Sequence, residues 1–286
     1  MIKLSARLQA VCDMVPPGRR VCDVGCDHAH VDIRLLQEEK ITSALAMDVA
    51  PGPLARAKEN LELTDLEDRC SLRLSDGLAA YEPGEADTLI CTGMGGRLMR
   101  SILEAGAEKT ASFRELILSP HREISLVREW LGQSGYVIAD EVFLEDAGKF
   151  YAVMRVLPGA EGICGTGPDW DALAHRVREM TKEEEQLLMA DCGSVLPLLE
   201  DPSFRSHAEN HYGPCILRKF LSGDGEDEPT RSSFCRYLTG ELREKLAIAG
   251  RLSEQGESEN AAARLAQIGG TIGTLQVLLF LQQISR

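Results

Sequence analysis

From Arg20 to His30 the chain reads Arg-Val-Cys-Asp-Val-Gly-Cys-Asp-His-Ala-His, a short apolar run ending in one glycine, Gly25, between two carboxylates, Asp23 and Asp27. Dinucleotide sites use several glycines at such a turn, because backbone N–H groups and a helix start must close on a pyrophosphate and neutralise it. Asp23 and Asp27 would repel that group. The same charges tolerate or welcome a cationic, phosphate-free nucleoside such as S-adenosylmethionine. A plainer use of these residues is a glycine turn in which Asp27 caps the next helix.

Other stretches point the same way. Asp48 stands about 20 positions beyond the glycine turn, where one carboxylate in a doubly wound sheet accepts hydrogen bonds from both ribose hydroxyls of a cofactor. Asp76, in Ser75-Asp76-Gly77-Leu78, can accept from the exocyclic amine of an adenine while the Gly77 N–H meets a ring nitrogen; the same residues also make an ordinary Asp-Gly turn. Thr92-Gly93-Met94-Gly95-Gly96 is so rich in glycine that its backbone must come close to something, here the entrance for a methyl acceptor. Arg97 and Arg100 open the next helix and point toward a phosphate contact. The polar-Pro-Pro-aromatic signature of N6-adenine methylation is absent from this position.

These turns need strands that end along one edge of a sheet. Apolar runs at 21–24, 43–47, 70–74, 86–92 and 116–118 read as strands. Helical patterns alternate with them at 31–38, at 54–63 behind Pro51 and Pro53, from Arg97 through Leu103, and around Leu126, Trp130 and Leu131. Residues 136–143 and 150–157 alternate as an antiparallel closing pair joined by Glu145 to Lys149. Leu4, Leu8, Val11 and Val15 recur at helical spacing before Pro16-Pro17-Gly18, so an opening helix covers an edge of the sheet. Its Lys3 and Arg7, with Arg19 and Arg20, form either a positive surface near the site or merely solvated charge.

The expected fold is therefore α/β, a seven-stranded sheet over residues 1–157, a glycine and proline linker at 158–167, and a helical domain at 168–286. Trp170, Leu173, Val177 and Met180 mark one helix of that domain. Phe234, Tyr237, Leu238, Leu242, Leu246 and Ala249 mark a second, and Leu265, Ile268, Ile272, Leu275 and Leu279 a third. Their apolar stripes are expected to form the core of an antiparallel bundle or coiled-coil hairpin, with an acidic loop from Gly223 to Pro229 and scope for pairing two chains.

A net charge of −14, split about evenly on either side of Leu157, repels phosphate polymers at long range, so any nucleic-acid contact must come from a local basic patch. The 9 cysteines are scattered without Cys-x-x-Cys spacing, which favours reduced thiols serving as small apolar fillers over metal ligands. No leader is expected before Met14, nor an apolar run of the roughly 18 residues a membrane span needs, so the expected location is cytoplasmic.

On Asp23-Val-Gly25-Cys26-Asp27-His28-Ala29, Met47-Asp48-Val49, Ser75-Asp76-Gly77-Leu78 and Thr92-Gly93-Met94-Gly95-Gly96, backed by Arg128-Glu-Trp130-Leu131 and Phe150-Tyr151, the chain resembles the bacterial tRNA (adenine(22)-N(1))-methyltransferase family. The resemblance is strong over the first 157 residues and weaker around Tyr212-Gly-Pro214. It implies a Rossmann-like class I methyltransferase sheet with a C-terminal helical domain, S-adenosyl-L-methionine as cofactor, and tRNA as partner, methylated at N1 of adenine 22. Carried onto this chain, it has Asp23, Gly25, Cys26, Asp27, His28, Asp48, Val49, Asp76, Gly77, Leu78, Gly93, Met94 and Gly95 hold the cofactor. His28, Arg97 and Tyr151 face the acceptor, and no general base and no metal are implied. The chain departs from the family at Cys26, usually Ser or Thr, at Asp48, often Glu, and at His30, usually an aromatic able to stack a flipped base. A methyltransferase of small molecules or proteins, or a cofactor-binding scaffold without catalysis, remains open on sequence.

Overall fold

The computed structural model describes residues 2–159, 167–181, 195–222, 227–254 and 259–285. By its internal contacts the chain divides into two units, Met1–Thr166 and Gly167–Arg286.

The first unit is built on one seven-stranded sheet: β1 (Arg19–Val24), β2 (Ile41–Asp48), β3 (Cys70–Leu74), β4 (Thr88–Thr92), β5 (Glu115–Ser119), β6 (Tyr136–Asp146) and β7 (Lys149–Pro158). The order across the sheet is β3-β2-β1-β4-β5-β7-β6. The first five run parallel, while β7 lies antiparallel between β5 and β6. This is the Rossmann-like methyltransferase arrangement. Every residue of β4 and β5 is buried, as expected where helices cover both faces of parallel strands and the sequence reads as a continuous apolar run.

Connecting helices are α2 (His30–Gln37), α3 (Pro51–Glu62), α4 (Gly96–Ala105), the single turn α5 (Ala107–Thr110) and α6 (Ile124–Gln133). The opening helix α1 (Ala6–Met14) starts at Ser5, whose side chain accepts from the Leu8 N–H, and buries Val11 and Cys12 against the β5–β7 side of the sheet. Val15, at its end, joins the same core with Ile33, Ile90 and Ile117.

Two expectations change here. The β6–β7 connection is a two-residue turn and not the segment 145–149: Ala147 and Gly148 have φ of 50° and 73°, Asp146 pairs with Lys149, and such left-handed pairs match the twist of the flanking strands. The proposed positive surface also separates. Glu115, 1 % exposed at the start of β5, accepts from Arg19 Nε at 2.9 Å, Arg155 Nε at 2.8 Å and the Thr88 hydroxyl at 3.0 Å. Arg20 donates to Asp87 at 3.1 Å. Arg19 and Arg20 are thus neutralised where the parallel strands begin, at the edge opposite the one where they end.

In the second unit Asp169 caps Trp170–Glu179 by accepting from the Ala172 N–H, and Asp201 caps Pro202–Tyr212 by accepting from the Ser203 N–H. Among the described residues it also holds the short helices Leu196–Glu200 and Pro214–Leu221 and two long ones, Glu228–Glu254 and Glu259–Ile284. Phe220, Phe234, Leu238, Leu275, Phe280 and Leu281 form its centre. Leu246, expected in the core stripe, is 48 % exposed. At that point each long helix has one partner, and a two-helix seam covers only a narrow stripe. Residues Asn260–Ile284 are long and apolar enough to pass a length-and-hydropathy test for a membrane span, against the sequence expectation; Val277, Leu278, Phe280 and Leu281 are nevertheless buried inside the helical unit. The linker segment 160–166 and loop residues 223–226 lie outside the described residues.

Candidate active site

At the C-terminal edge of the parallel strands, the turn after β1 is clasped to the end of β2. Gly25 and Cys26 both donate their N–H to the Met47 carbonyl, at 2.9 and 3.1 Å. Asp48 completes the clasp: its Oδ1 accepts from the Ala50 N–H at 2.9 Å and its Oδ2 from the Asp27 N–H at 3.4 Å. Each oxygen keeps a lone pair, so the carboxylate is fixed in orientation and still able to accept. The turn is strained. Gly25, Asp27 and Ala29 have φ of 78°, 52° and 56°. Each left-handed residue other than glycine costs about 1–2 kcal/mol, and such backbone persists where its surroundings enforce it.

The capping alternative for Asp27 does not hold, since Ala29 is the N-cap of α2 and receives no side-chain cap. The Asp27 side chain is 73 % exposed on the rim, 3.4 Å from His28 Nδ1. His28 itself is half-buried, with Nδ1 buried and lacking a hydrogen bond. His30 is engaged by its neighbours at the turn. It packs edge-on to His28 and lies 3.5 Å from Asn60 of α3, and burial, with His28 beside it, holds its pKa below the usual imidazole value.

Asp23 is not a rim carboxylate. It is 3 % exposed and faces Asp32, which lies fully buried on α2 beneath the turn. Asp23 Oδ1 and both Asp32 oxygens lack a well-formed donor, so the pair is satisfied by sharing a proton. Burial first, then the neighbouring Asp32 and Asp48, pushes the Asp23 carboxyl well above the ordinary range, and burial pushes Asp32 up to about 7. Sequence reading missed Asp32; the available signal was an acidic residue among Val31, Ile33, Leu35 and Leu36, with no cation spaced to pair with it.

The loops after β3 and β4 flank this clasp on its two sides, at the ends of the strands next to β2 and β1. Asp76 is exposed, and Ser75 fixes its loop by donating to the Gly77 carbonyl at 2.8 Å and accepting from the Ala80 N–H at 3.0 Å. Val49, 65 % exposed beside Asp48, offers an apolar rim surface. The Cys26 and Leu78 side chains turn away into packing: Cys26 lies in the core of the sheet, where burial raises its thiol pKa, and Leu78 packs on Gly106. They are left with backbone contacts only. An open pocket of about 680 Å³ lies between the loop at 76–79 and α4–α5, lined by Asp76, Leu98 and Ile102 among others. It includes neither Gly25 nor Asp48, and so flanks the clasp without containing it.

The glycine run after β4 has more than one cause. Met94 reaches across to the β1 turn, its methyl carbon 3.1 Å from where a Cβ on Gly25 would stand. Gly93 is left-handed, at φ 80°. Gly96 is a packing glycine: a Cβ there would lie 2.5 Å from the Glu123 carbonyl oxygen and 2.8 Å from that of Arg122, which accepts the Gly96 N–H at 2.9 Å. Since those neighbours are backbone, Gly96→Ala must push the β5–α6 loop off α4, at an expected cost of about 2–3 kcal/mol in urea unfolding. Gly95→Ala, at an ordinary φ of −72° with open space around it, is the matched control and should be near neutral. Equal losses in the two variants would refute the packing account.

On the far side of the glycine loop, the His121 N–H donates to the Met94 carbonyl at 2.9 Å and its ring meets Tyr151 edge-on at 5.5 Å. Arg7 of α1 sits over the Tyr151 ring at 5.4 Å. Tyr151 is thus beside the loop expected to receive the acceptor. Arg97 and Arg100 do not point free toward a phosphate: Arg97 Nε holds Glu123 at 2.5 Å and Arg100 Nε holds Glu104 at 2.8 Å. The Arg100–Glu104 pair, four residues apart on one helix, was readable from the sequence, whereas the Arg97–Glu123 pair, 26 apart, was not.

A family model described as a methyltransferase domain matches residues 4–154. The chain belongs to this methyltransferase domain family. It is 40 % identical over 153 residues to the tRNA (adenine(22)-N(1))-methyltransferase of Bacillus subtilis, covering 54 % of this chain and 64 % of that one. This methyltransferase chain thus spans just under two thirds of that curated relative. Among solved structures, the M1A22 tRNA methyltransferase TrmK of B. subtilis matches with a TM-score of 0.70 and 28 % identity over 98 % of this chain and 100 % of its own. Streptococcus pneumoniae Sp1610, solved in complex with S-adenosyl-L-methionine, matches with a TM-score of 0.66 and 26 % identity over 97 % of this chain and 100 % of its own.

Proposed function

We propose that this protein is an S-adenosylmethionine-dependent tRNA methyltransferase acting on N1 of an adenine, at position 22 by likeness to its Bacillus relative. The observation that carries the reading is the clasp in which Asp48, oriented by two backbone N–H groups, closes over the Gly25–Ala29 turn. The site fits a nucleoside carrying a cation. Asp48 has lone pairs for two ribose hydroxyls, Val49 gives an apolar surface beside them, and Asp76 with the Gly77 N–H suits an adenine edge. Asp27, exposed beside His28 at the turn, gives a cationic ligand a carboxylate to meet. Cys26 and Leu78 contribute through backbone alone.

When bound, the cofactor supplies a sulfonium methyl group. N1 of adenine owns a lone pair and needs no deprotonation, so the protein's part is to hold the base in line and to stabilise the positive charge that moves onto it. In a duplex that nitrogen is hydrogen-bonded, so the base must be unpaired or flipped to reach the glycine loop.

Incubation with unmodified tRNA and methyl-labelled cofactor, followed by digestion to nucleosides, should place the label in 1-methyladenosine. Label in another nucleoside, or in none, rejects the assignment. The net charge of −14 favours a second reading, a small-molecule or protein acceptor. Under that reading the protein would show no RNA affinity that falls with salt.

A further inference from the structure

We infer that Arg7 and His121, packed on the Tyr151 ring beside the glycine loop, with Arg122 next to His121 and Lys149 two residues before Tyr151, form the site that grips an RNA backbone phosphate next to the nucleotide being methylated. The inference rests on the tRNA reading above and adds where this acidic protein holds an RNA chain. A net charge of −14 gives no long-range attraction to a polyanion, so affinity must come from cations left unneutralised in one place. Most arginines of the first unit are not available. Arg19 and Arg155 bind Glu115, Arg20 and Arg114 bind Asp87, Arg34 binds Glu38, and Arg73 binds Glu85. Arg97 and Arg100 are held by Glu123 and Glu104.

The group around Tyr151 is different. Among the described residues neither Arg7, Arg122 nor Lys149 has a carboxylate within ion-pairing distance, and Arg7 Nη1 is buried without a hydrogen-bond partner. The Arg7 guanidinium is held over the Tyr151 ring and His121 against its edge, so the cluster is preorganised by an aromatic platform and not by counter-charges. Asp146 accepts the Arg7 backbone N–H at 3.2 Å. After burial, the causes that hold the His121 pKa below the usual imidazole value are three cations, Arg7, Lys149 and Arg122.

Place agrees with charge. His121 follows β5 at the edge where the parallel strands end, and Lys149 and Tyr151 open β7 at the same edge. The bond from the His121 N–H to the Met94 carbonyl ties the cluster to the loop that lines the acceptor entrance. An arriving phosphate would neutralise the mutual repulsion of these cations. It would also favour protonation of His121, so RNA binding should take up a proton.

The test is binding of an unmodified tRNA transcript across a salt series and from about pH 7.5 down to about pH 6, where an imidazole with a phosphate beside it becomes charged. The double variant Arg122→Gln/Lys149→Gln should bind tRNA at least tenfold more weakly and lose about two units of the logarithmic salt slope. Its calorimetric affinity for S-adenosylhomocysteine should stay unchanged, and its methylation defect should appear in KM for tRNA. Binding by the unsubstituted protein should tighten as pH falls, and His121→Gln should abolish that trend. Wild-type slope and affinity in the double variant, or a pH trend unaltered by His121→Gln, overturns the inference while leaving the tRNA reading intact. Failure of the unsubstituted protein to bind tRNA at all removes both.

Discussion

Asp48→Ala should weaken S-adenosylhomocysteine binding about a hundredfold or more, measured by calorimetry. Hydrogen bonds to a charged acceptor contribute about 1.5–3 kcal/mol each. Two ribose hydroxyls on one carboxylate therefore amount to about 3 kcal/mol at the low end, and each 1.4 kcal/mol is about a factor of ten in affinity. The substitution also opens the clasp, since Asp48 accepts the N–H groups of Asp27 and Ala50 in the same plane of contacts. Asp48→Asn separates the two effects. The amide keeps one acceptor oxygen, so it should retain part of the affinity and most of the ligand-free thermal stability. If both variants bind as the parent does, Asp48 has no place in the ribose contact, and the reading of the whole edge as a nucleoside site loses its main support.

The sheet was legible because each parallel strand announced itself by a compact apolar run and ended in a residue that cannot continue one. Asp48, Ser75 and Gly93 mark such ends within a residue of where the strands stop. That Asp27 and Asp48 share one edge was legible for the same reason, since neighbouring strand ends bring them together across 21 positions, but the bond between them was not read from the sequence. What the pattern could not carry is direction and partnership. Cys26 and Leu78 lie within motifs whose backbone fits the site, yet their side chains point into packing, a choice made by local φ and by Gly106 and not by residue type. Arg97 looked free until Glu123, 26 residues on, folded back beside it. Arg19 and Arg20 lie at the strand's beginning, so the sheet's own polarity carries them away from the site. The β6–β7 turn was drawn too long because Glu145 and Asp146 look like loop residues, although on a hairpin's solvent side polar residues are ordinary strand members. His121 was visible only as a strand-end residue; its meaning depends on Arg7, 114 positions earlier in the chain.

Asp32→Asn should make the first unit more stable at pH 8 by about 2–4 kcal/mol and leave it little changed at acidic pH. In the folded chain the Asp32 carboxyl, buried against Asp23, titrates at about 7, against an ordinary value of 3.8 when the chain is open. Between those two values the folded state holds a proton that the unfolded state has released. Stability is therefore fully present below about pH 4 and is lost as pH rises toward about 7, the reverse of the usual behaviour of a salt-bridged aspartate. At about 1.4 kcal/mol per unit, a gap of this size sets an upper limit of about 4 kcal/mol for the single group. Asparagine carries no such burden and supplies an N–H donor to the Asp23 carboxyl, replacing a shared proton by an ordinary hydrogen bond. Urea unfolding of both proteins at about pH 5 and pH 8 reads the difference directly, with the parent losing more stability across the interval than the variant. A parent protein equally stable at both values would mean that the two carboxylates do not share a buried proton. The strained turn at Gly25–Ala29 would then rest on a charge arrangement other than the one described.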